Sequence, residues 1–177
     1  ALLSFSEPGW NLTYTVGVTV GLFLSLGGDI ALMFSENRRA FGIGLGLFLL
    51  AHIAYTVVFT LLGGFSAWDF LSAVILLVLA VGFYRLVRPN LGTLQRPVII
   101  YIVVISVMVN RAGATVASPA FGANQALMIL TGALLFFISD IMLAANRFWK
   151  PWKYNRISLA FYYGGQLLIA LAAGCFV

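Results

Sequence analysis

An all-α fold, a polytopic transmembrane bundle of about six spanning helices, is predicted by three features of this 177-residue chain. Hydrophobic residues make up 62% and charged residues 8%, with a mean hydropathy of +1.04. Soluble domains carry about 45–50% apolar and about 25% charged residues, so polar surface is too scarce here to cover a globule in water. The apolar residues also fall into runs of about 20, the length that crosses a hydrocarbon core. These runs are apolar all round, whereas strands of a membrane barrel alternate apolar with polar residues. The whole chain, 1–177, reads as a single transmembrane domain.

The net charge of +5 does not point to nucleic acid, because the ten Lys and Arg residues fall almost wholly in short gaps between apolar runs. Such placement is a topology signal. Cys175 is the only cysteine, which excludes a disulfide framework and a cysteine-based metal site. It reads as a small buried apolar residue. The opening Ala-Leu-Leu-Ser-Phe is hydrophobic and carries no cleavable signal pattern, and it reads as the end of a hydrophobic segment.

Helix α1 is expected over about 12–34, where Gly17, Gly21, Ser25 and Asp29 recur at every fourth position. Small residues at this spacing admit a neighbouring helix closely, and the stripe is expected to turn Asp29 into the bundle. After the polar turn 35–39, α2 spans about 41–62 and puts Gly44, Phe48, His52, Tyr55 and Phe59 on one face. Trp68 suits an interface belt, and Asp69 suits a solvated loop or a helix start. Helix α3, about 70–87, is rich in Leu and Val without a polar stripe, and is expected to face lipid. Pro97 fits the first turn of α4, about 98–114, which carries Tyr101, Met108, Asn110 and Arg111. Helix α5, about 123–145, aligns Gly132, Phe136 and Asp140; a basic, aromatic segment then leads to α6, about 157–177, with Ser158, Tyr162 and Gln166 on one face.

Counting basic residues on alternating sides puts Arg38, Arg39, Arg85, Arg88, Arg96, Arg147, Lys150, Lys153 and Arg156 together and only Arg111 opposite. The positive-inside rule makes the first side cytoplasmic. At 1.5 Å per residue, Asp29 and Asp140 lie about 7 Å in from the cytoplasmic helix ends, and His52 and Gln166 near 15 Å. The polar residues are thus expected to define one cytoplasm-facing pocket.

An ionisable residue inside a span costs several kcal/mol unless paired, neutralised or wetted, and is by default a functional candidate. Asp29 and Asp140 either pin helices through Tyr or Ser hydroxyls or act together as general acid and base, since two carboxylates in one dry pocket resist ionising together. His52 is either a hydrogen-bonded core imidazole or a proton carrier. Two Asp and one His are a sparse donor set for a metal, and none is assigned. Tyr55, Tyr101, Tyr162 and Gln166 are hydrogen-bonding groups for substrate or between helices, and Arg111 is either an anchor or a buried counter-ion. No Gly-x-Ser-x-Gly elbow, phosphate loop or paired-His metalloprotease helix occurs, which disfavours serine-hydrolase and nucleotide chemistry.

Several segments in order, Ser25-Leu-Gly-Gly-Asp29, Phe41-x-x-Gly-Leu-x-x-Phe-x-x-x-His52-x-x-Tyr55, Tyr101-x-x-x-Ile-x-x-Met108, Gly132-Ala-x-Leu-Phe-x-x-Ser-Asp140-x-x-Leu, and Tyr162 to Gln166, resemble the YhhN-like lysoplasmalogenase family. The resemblance implies a fold of about eight spanning helices, of which this chain holds the last six and the end of the second. It implies hydrolysis of the vinyl-ether bond of a lysophospholipid to a fatty aldehyde and a glycerophospho-base, without a cofactor. It places the family's acidic and histidine positions on Asp29, Asp140 and His52. Vinyl-ether hydrolysis starts with proton transfer to carbon and passes through an oxocarbenium ion, the charge type that glycosidases manage with an acid and a carboxylate. The expected function is therefore a membrane ether hydrolase, with Asp29, Asp140 and His52 catalytic, Tyr55, Tyr101, Tyr162 and Gln166 binding substrate, and the bilayer, of a bacterial cytoplasmic membrane, as its setting. A small transporter or proton-coupled carrier is the rival reading, since carriers place carboxylates in spans for the same reason.

The charge split generates a test of orientation. A reporter fused after Arg88 is expected to be cytoplasmic and one fused at Val177 outside; the reverse result at both positions would invert the assigned topology.

Overall fold

The computed structural model describes residues 11–151 and 155–175. Six helices run through them: α1 Leu12–Leu32, α2 Arg38–Gly63, α3 Ala67–Val87, α4 Gln95–Ala114, α5 Ala123–Phe148 and α6 Asn155–Leu171, and no strand occurs among the described residues. All six helices, extended in three cases by adjoining single 3-10 turns, are long and apolar enough to span a bilayer. The expectations that fall on 1–5, Lys153 and Val177 lie outside the described residues.

Several helices extend past the ends of the apolar runs. Asn37 accepts from the Arg39 N–H at 2.8 Å and starts α2 three residues early, so Arg38 and Arg39 form its first turn. Helix α3 likewise begins at Ala67, because the Asp69 carboxylate accepts from the Ser66 N–H at 2.7 Å. Long basic side chains reach the headgroup layer from a helix that has left the hydrocarbon, so a charge did not mark these ends. Pro97 occupies the first turn of α4, where its missing N–H breaks no helical bond.

Two helix pairs approach most closely. A Cβ placed on Gly17, Gly21 or Gly28 of α1 would lie 2.0, 2.3 or 2.7 Å from side chains of Val58, Tyr55 or Phe48 of α2. Between α5 and α6 the contact is backbone on backbone, since a Cβ on Gly132 would lie 2.8 Å from the Gly165 carbonyl oxygen, and one on Gly165 would lie 2.6 Å from the Gly132 carbonyl. Helix α4 packs between α2, α3 and α5. Helix α3 buries only Leu76 and Val87 and presents Leu71, Val74, Ile75, Leu77 and Val78 outward, as a lipid-facing helix would.

At the end of the bundle where α3 begins, Arg111 settles as a buried counter-ion. It is 5% exposed, pairs with Asp69 at 3.3 Å, donates to the Gly64 carbonyl beyond the end of α2, and stacks over Phe65 at 4.4 Å. Asp69 is accordingly a paired helix-start charge and not a solvated one, its side chain only 13% exposed. Asn110 adds bonds to the Asp69 carbonyl and the Ser72 hydroxyl. Cys175 is half-buried instead of buried, following the last turn of the chain's final helix with its thiol toward the Leu171 carbonyl at 3.7 Å.

The glycine seam predicts a contrast within one protein. Gly165→Ala sets a Cβ against backbone atoms that have no rotamer to yield, and is expected to cost about 1–3 kcal/mol, as overpacking does. Gly46→Ala, with nothing within 4 Å of its Cβ, should be neutral or stabilising. Thermal unfolding in detergent reads both, and equal effects would contradict the packing described.

Candidate active site

The candidate residues are delivered by the drift of a four-residue repeat around a 3.6-residue helix, about 40° per step. On α1 the stripe starts at Gly17 against α2, and three steps later the turn of about 120° has carried Asp29 off that seam to face α6. There the Tyr162 hydroxyl donates to Asp29 Oδ2 at 2.9 Å. On α5 the stripe starts at Gly132 against α6, and two steps carry Asp140 round to α4 and α2. The Tyr101 hydroxyl donates to Asp140 Oδ2 at 2.5 Å, and His52 Nε2 lies 3.5 Å from the same oxygen.

His52 is fully buried. Its Nδ1 lies 2.6 Å from the Phe48 carbonyl oxygen, one turn back along α2, and only an N–H at Nδ1 makes that contact a hydrogen bond. A neutral ring then turns a bare Nε2 lone pair toward a carboxyl oxygen, and Nε2 has no other hydrogen-bond partner. Two acceptors face each other at 3.5 Å unless a proton lies between them.

The seven candidates fall into three groups, of which the second and third touch through Tyr162 and Gln166. Asp140, Tyr101 and His52 form the first. Asp29 and Tyr162 form the second. In the third, the Tyr55 hydroxyl donates to Gln166 Oε1 at 2.6 Å while Gln166 Nε2 donates to the Ser25 hydroxyl at 2.8 Å, all three residues being buried. The sequence placed Ser25 on a packing stripe and missed this role; the four-residue step from Ser25 to Asp29 is its only mark. The first two groups meet at Phe136, whose ring centroid lies 4.6 Å from that of His52 and 5.2 Å from that of Tyr162. No hydrogen bond joins the two aspartates, so the single shared pocket expected from their depth is divided by aromatic rings.

Asp140 and Tyr101 open onto a cavity among α2, α3, α4 and α5, with about 790 Å³ of empty space including its mouth. Its walls are apolar, with Leu45, Phe48, Leu79, Phe83 and Ile102 among them, and among the described residues the only polar side chains there are Tyr101, Asp140 and Arg147. Asp29 is absent from this lining. A metal would find few ligands, since no group of three His, Cys, Asp or Glu side chains comes together among the described residues.

A multi-pass membrane protein with a carboxyl, phenol and imidazole cluster beside an apolar cavity is the class that fold and site define. Residues 1–173 match the family model described as the YhhN family. The chain belongs to that family. It is similar to proteins named "Lysoplasmalogenase TMEM86A", being 31% identical to that of Bos taurus over 93% of this chain and 69% of the relative, and 31% identical to that of Homo sapiens over 88% of this chain and 64% of the relative. The chain thus spans about two-thirds of the length of these relatives. No solved structure matches it.

The buried chain from Tyr55 through Gln166 to Ser25 predicts coupling. Tyr55→Phe leaves Gln166 Oε1 without its donor and should cost about 1 kcal/mol. Adding Gln166→Leu should cost less than the sum of the two single changes in a double-mutant unfolding cycle. Strict additivity would mean the bond contributes nothing.

Proposed function

We propose that this protein hydrolyses the vinyl-ether bond of lysoplasmalogens, releasing a fatty aldehyde and a glycerophospho-base. The observation that carries the proposal is Asp140, which lines an apolar cavity together with Tyr101 and has the buried His52 3.5 Å away. The names of the two relatives support the same chemistry, and they name an enzyme and not a carrier.

The reaction needs a proton delivered to carbon in a place from which bulk water is excluded. Both contacts of Asp140 fall on Oδ2, the oxygen that carries the proton the reaction uses. The carboxylic acid donates its proton to the alkene carbon remote from the ether oxygen, and the cation forms at the carbon bonded to that oxygen. The carboxylate left behind, held by the Tyr101 hydroxyl, is the counter-charge for the oxocarbenium ion. Water adds to the cation, its proton passes to Asp140 or His52 Nε2, and the hemiacetal collapses to aldehyde and glycerol hydroxyl. The proton count closes without a cofactor.

Asp29 is the second catalytic carboxylate of this reading, acting from behind Phe136 through its bond to Tyr162. Tyr55 and Gln166 hold the buried wall on which Tyr162 sits. The basic end of the bundle faces the cytoplasm of a bacterial membrane, and the reactive bond is met just below the headgroups.

Mass spectrometry of purified protein incubated with a lysoplasmalogen and with its saturated ether analogue tests the proposal. Aldehyde should appear from the first only, because a saturated ether cannot form the cation by protonation at carbon. Asp140→Asn should lower turnover on the order of 100-fold or more, as loss of a general acid does, and Asp29→Asn by less, since Asp29 does not touch the cavity. Cleavage of both lipids alike, or near-normal turnover in Asp140→Asn, would overturn it.

A further inference from the structure

We infer that Arg147 binds the phosphate of the lysolipid and so sets how far the substrate enters, an inference that rests on the hydrolase reading for its substrate. Arg147 and Asp140 are seven residues apart on α5, which is two turns, about 10.5 Å of rise, on one helix face. Both line the same cavity, in which Arg147 is the only cation among the described residues.

The guanidinium has capacity to spare. It stacks at 5.1 Å over Phe41 and makes one long bond, 3.5 Å, to the Ser35 carbonyl. Among the described residues no carboxylate lies within ion-pair distance of it. Among the described residues, four of its five N–H groups have no hydrogen-bond acceptor. Phe41 fixes the plane of the guanidinium, and a planar fork of donors at the exposed end of an apolar cavity matches two oxygens of a phosphate diester.

Spacing selects the phosphate of this lipid. From phosphorus through the glycerol backbone to the alkene carbon there are seven covalent bonds, roughly 8 Å when extended by the usual reach of a chain per bond. That length is comparable to the helical rise from Arg147 to Asp140. With the phosphate on Arg147, the vinyl ether falls beside Asp140 and the alkenyl chain continues along the apolar wall of Phe48, Leu79 and Ile105. A lipid with its double bond farther along the chain would present no alkene to the acid.

Binding tests this separately from turnover. The probes are a saturated ether lysophospholipid, which cannot be cleaved by protonation at carbon, and the matching alkylglycerol, which lacks the phosphate. Affinity of the detergent-solubilised protein for each is measured by titration of intrinsic fluorescence. Arg147→Gln should weaken the lysophospholipid roughly ten- to hundredfold and leave the alkylglycerol unchanged, which also shows the variant folded; Arg147→Lys should recover part of the loss. Inorganic phosphate at equal concentration should not compete, because it has no chain to bury. Equal affinity of the wild type and Arg147→Gln for the lysophospholipid, or equal loss for both probes, would overturn the inference. Intact, Arg147-dependent binding without cleavage of a lysoplasmalogen would instead refute the hydrolase reading and leave the phosphate site standing.

Discussion

A carboxyl group inside a spanning helix must be given partners, and the arrangement of this bundle follows from giving them to Asp140. An unpaired charge there costs several kcal/mol, while one polar pair between membrane helices returns only about 1 kcal/mol. Asp140 takes a hydroxyl from α4 and faces an imidazole from α2, so three helices must hold their register at one point. The buried Nδ1 bond from His52 to the Phe48 carbonyl then decides which nitrogen faces the acid. The other ring nitrogen, Nε2, is left without a hydrogen-bond partner beside the carboxyl oxygen.

The seams that hold this register are made of glycine. Gly132 and Gly165 bring α5 and α6 into backbone contact, and Gly17, Gly21 and Gly28 accept side chains of α2. Because a step of four overshoots a helical turn by about 40°, a single stripe serves two partners. Its glycine end packs one neighbour and its acidic end reaches another. Packing and chemistry are therefore coupled along α1 and α5, and a change at the seam will be felt at the aspartates two or three turns away.

Composition and run length made the six helices legible, because bilayer thickness sets both. The lipid-facing role of α3 was legible for the same reason. Helix ends were not, since Arg38, Arg39 and Arg147 sit within helices that continue into the headgroup layer. The candidate residues could be picked out because each is a polar side chain in an apolar run, but their grouping could not. The helix ends expected from the sequence put Asp29 and Asp140 at equal depth, which suggested a shared pocket, whereas in the fold the rotation of each helix about its own axis parts them on either side of Phe136. Arg147 was legible as a basic residue and hidden as a cavity residue. The signal was its seven-residue spacing from Asp140, which matters only once α3 and α4 are seen to close the cavity around both.

The central claim is that Asp140 transfers a proton to carbon. Hydrolysis of a lysoplasmalogen in heavy water, with the aldehyde trapped as it forms and weighed by mass spectrometry, tests it most directly. The account predicts one deuterium on the carbon next to the carbonyl, from the exchangeable carboxyl proton. An aldehyde formed without deuterium at that carbon would contradict it, because the bond would then have broken by a route in which no acid meets the alkene.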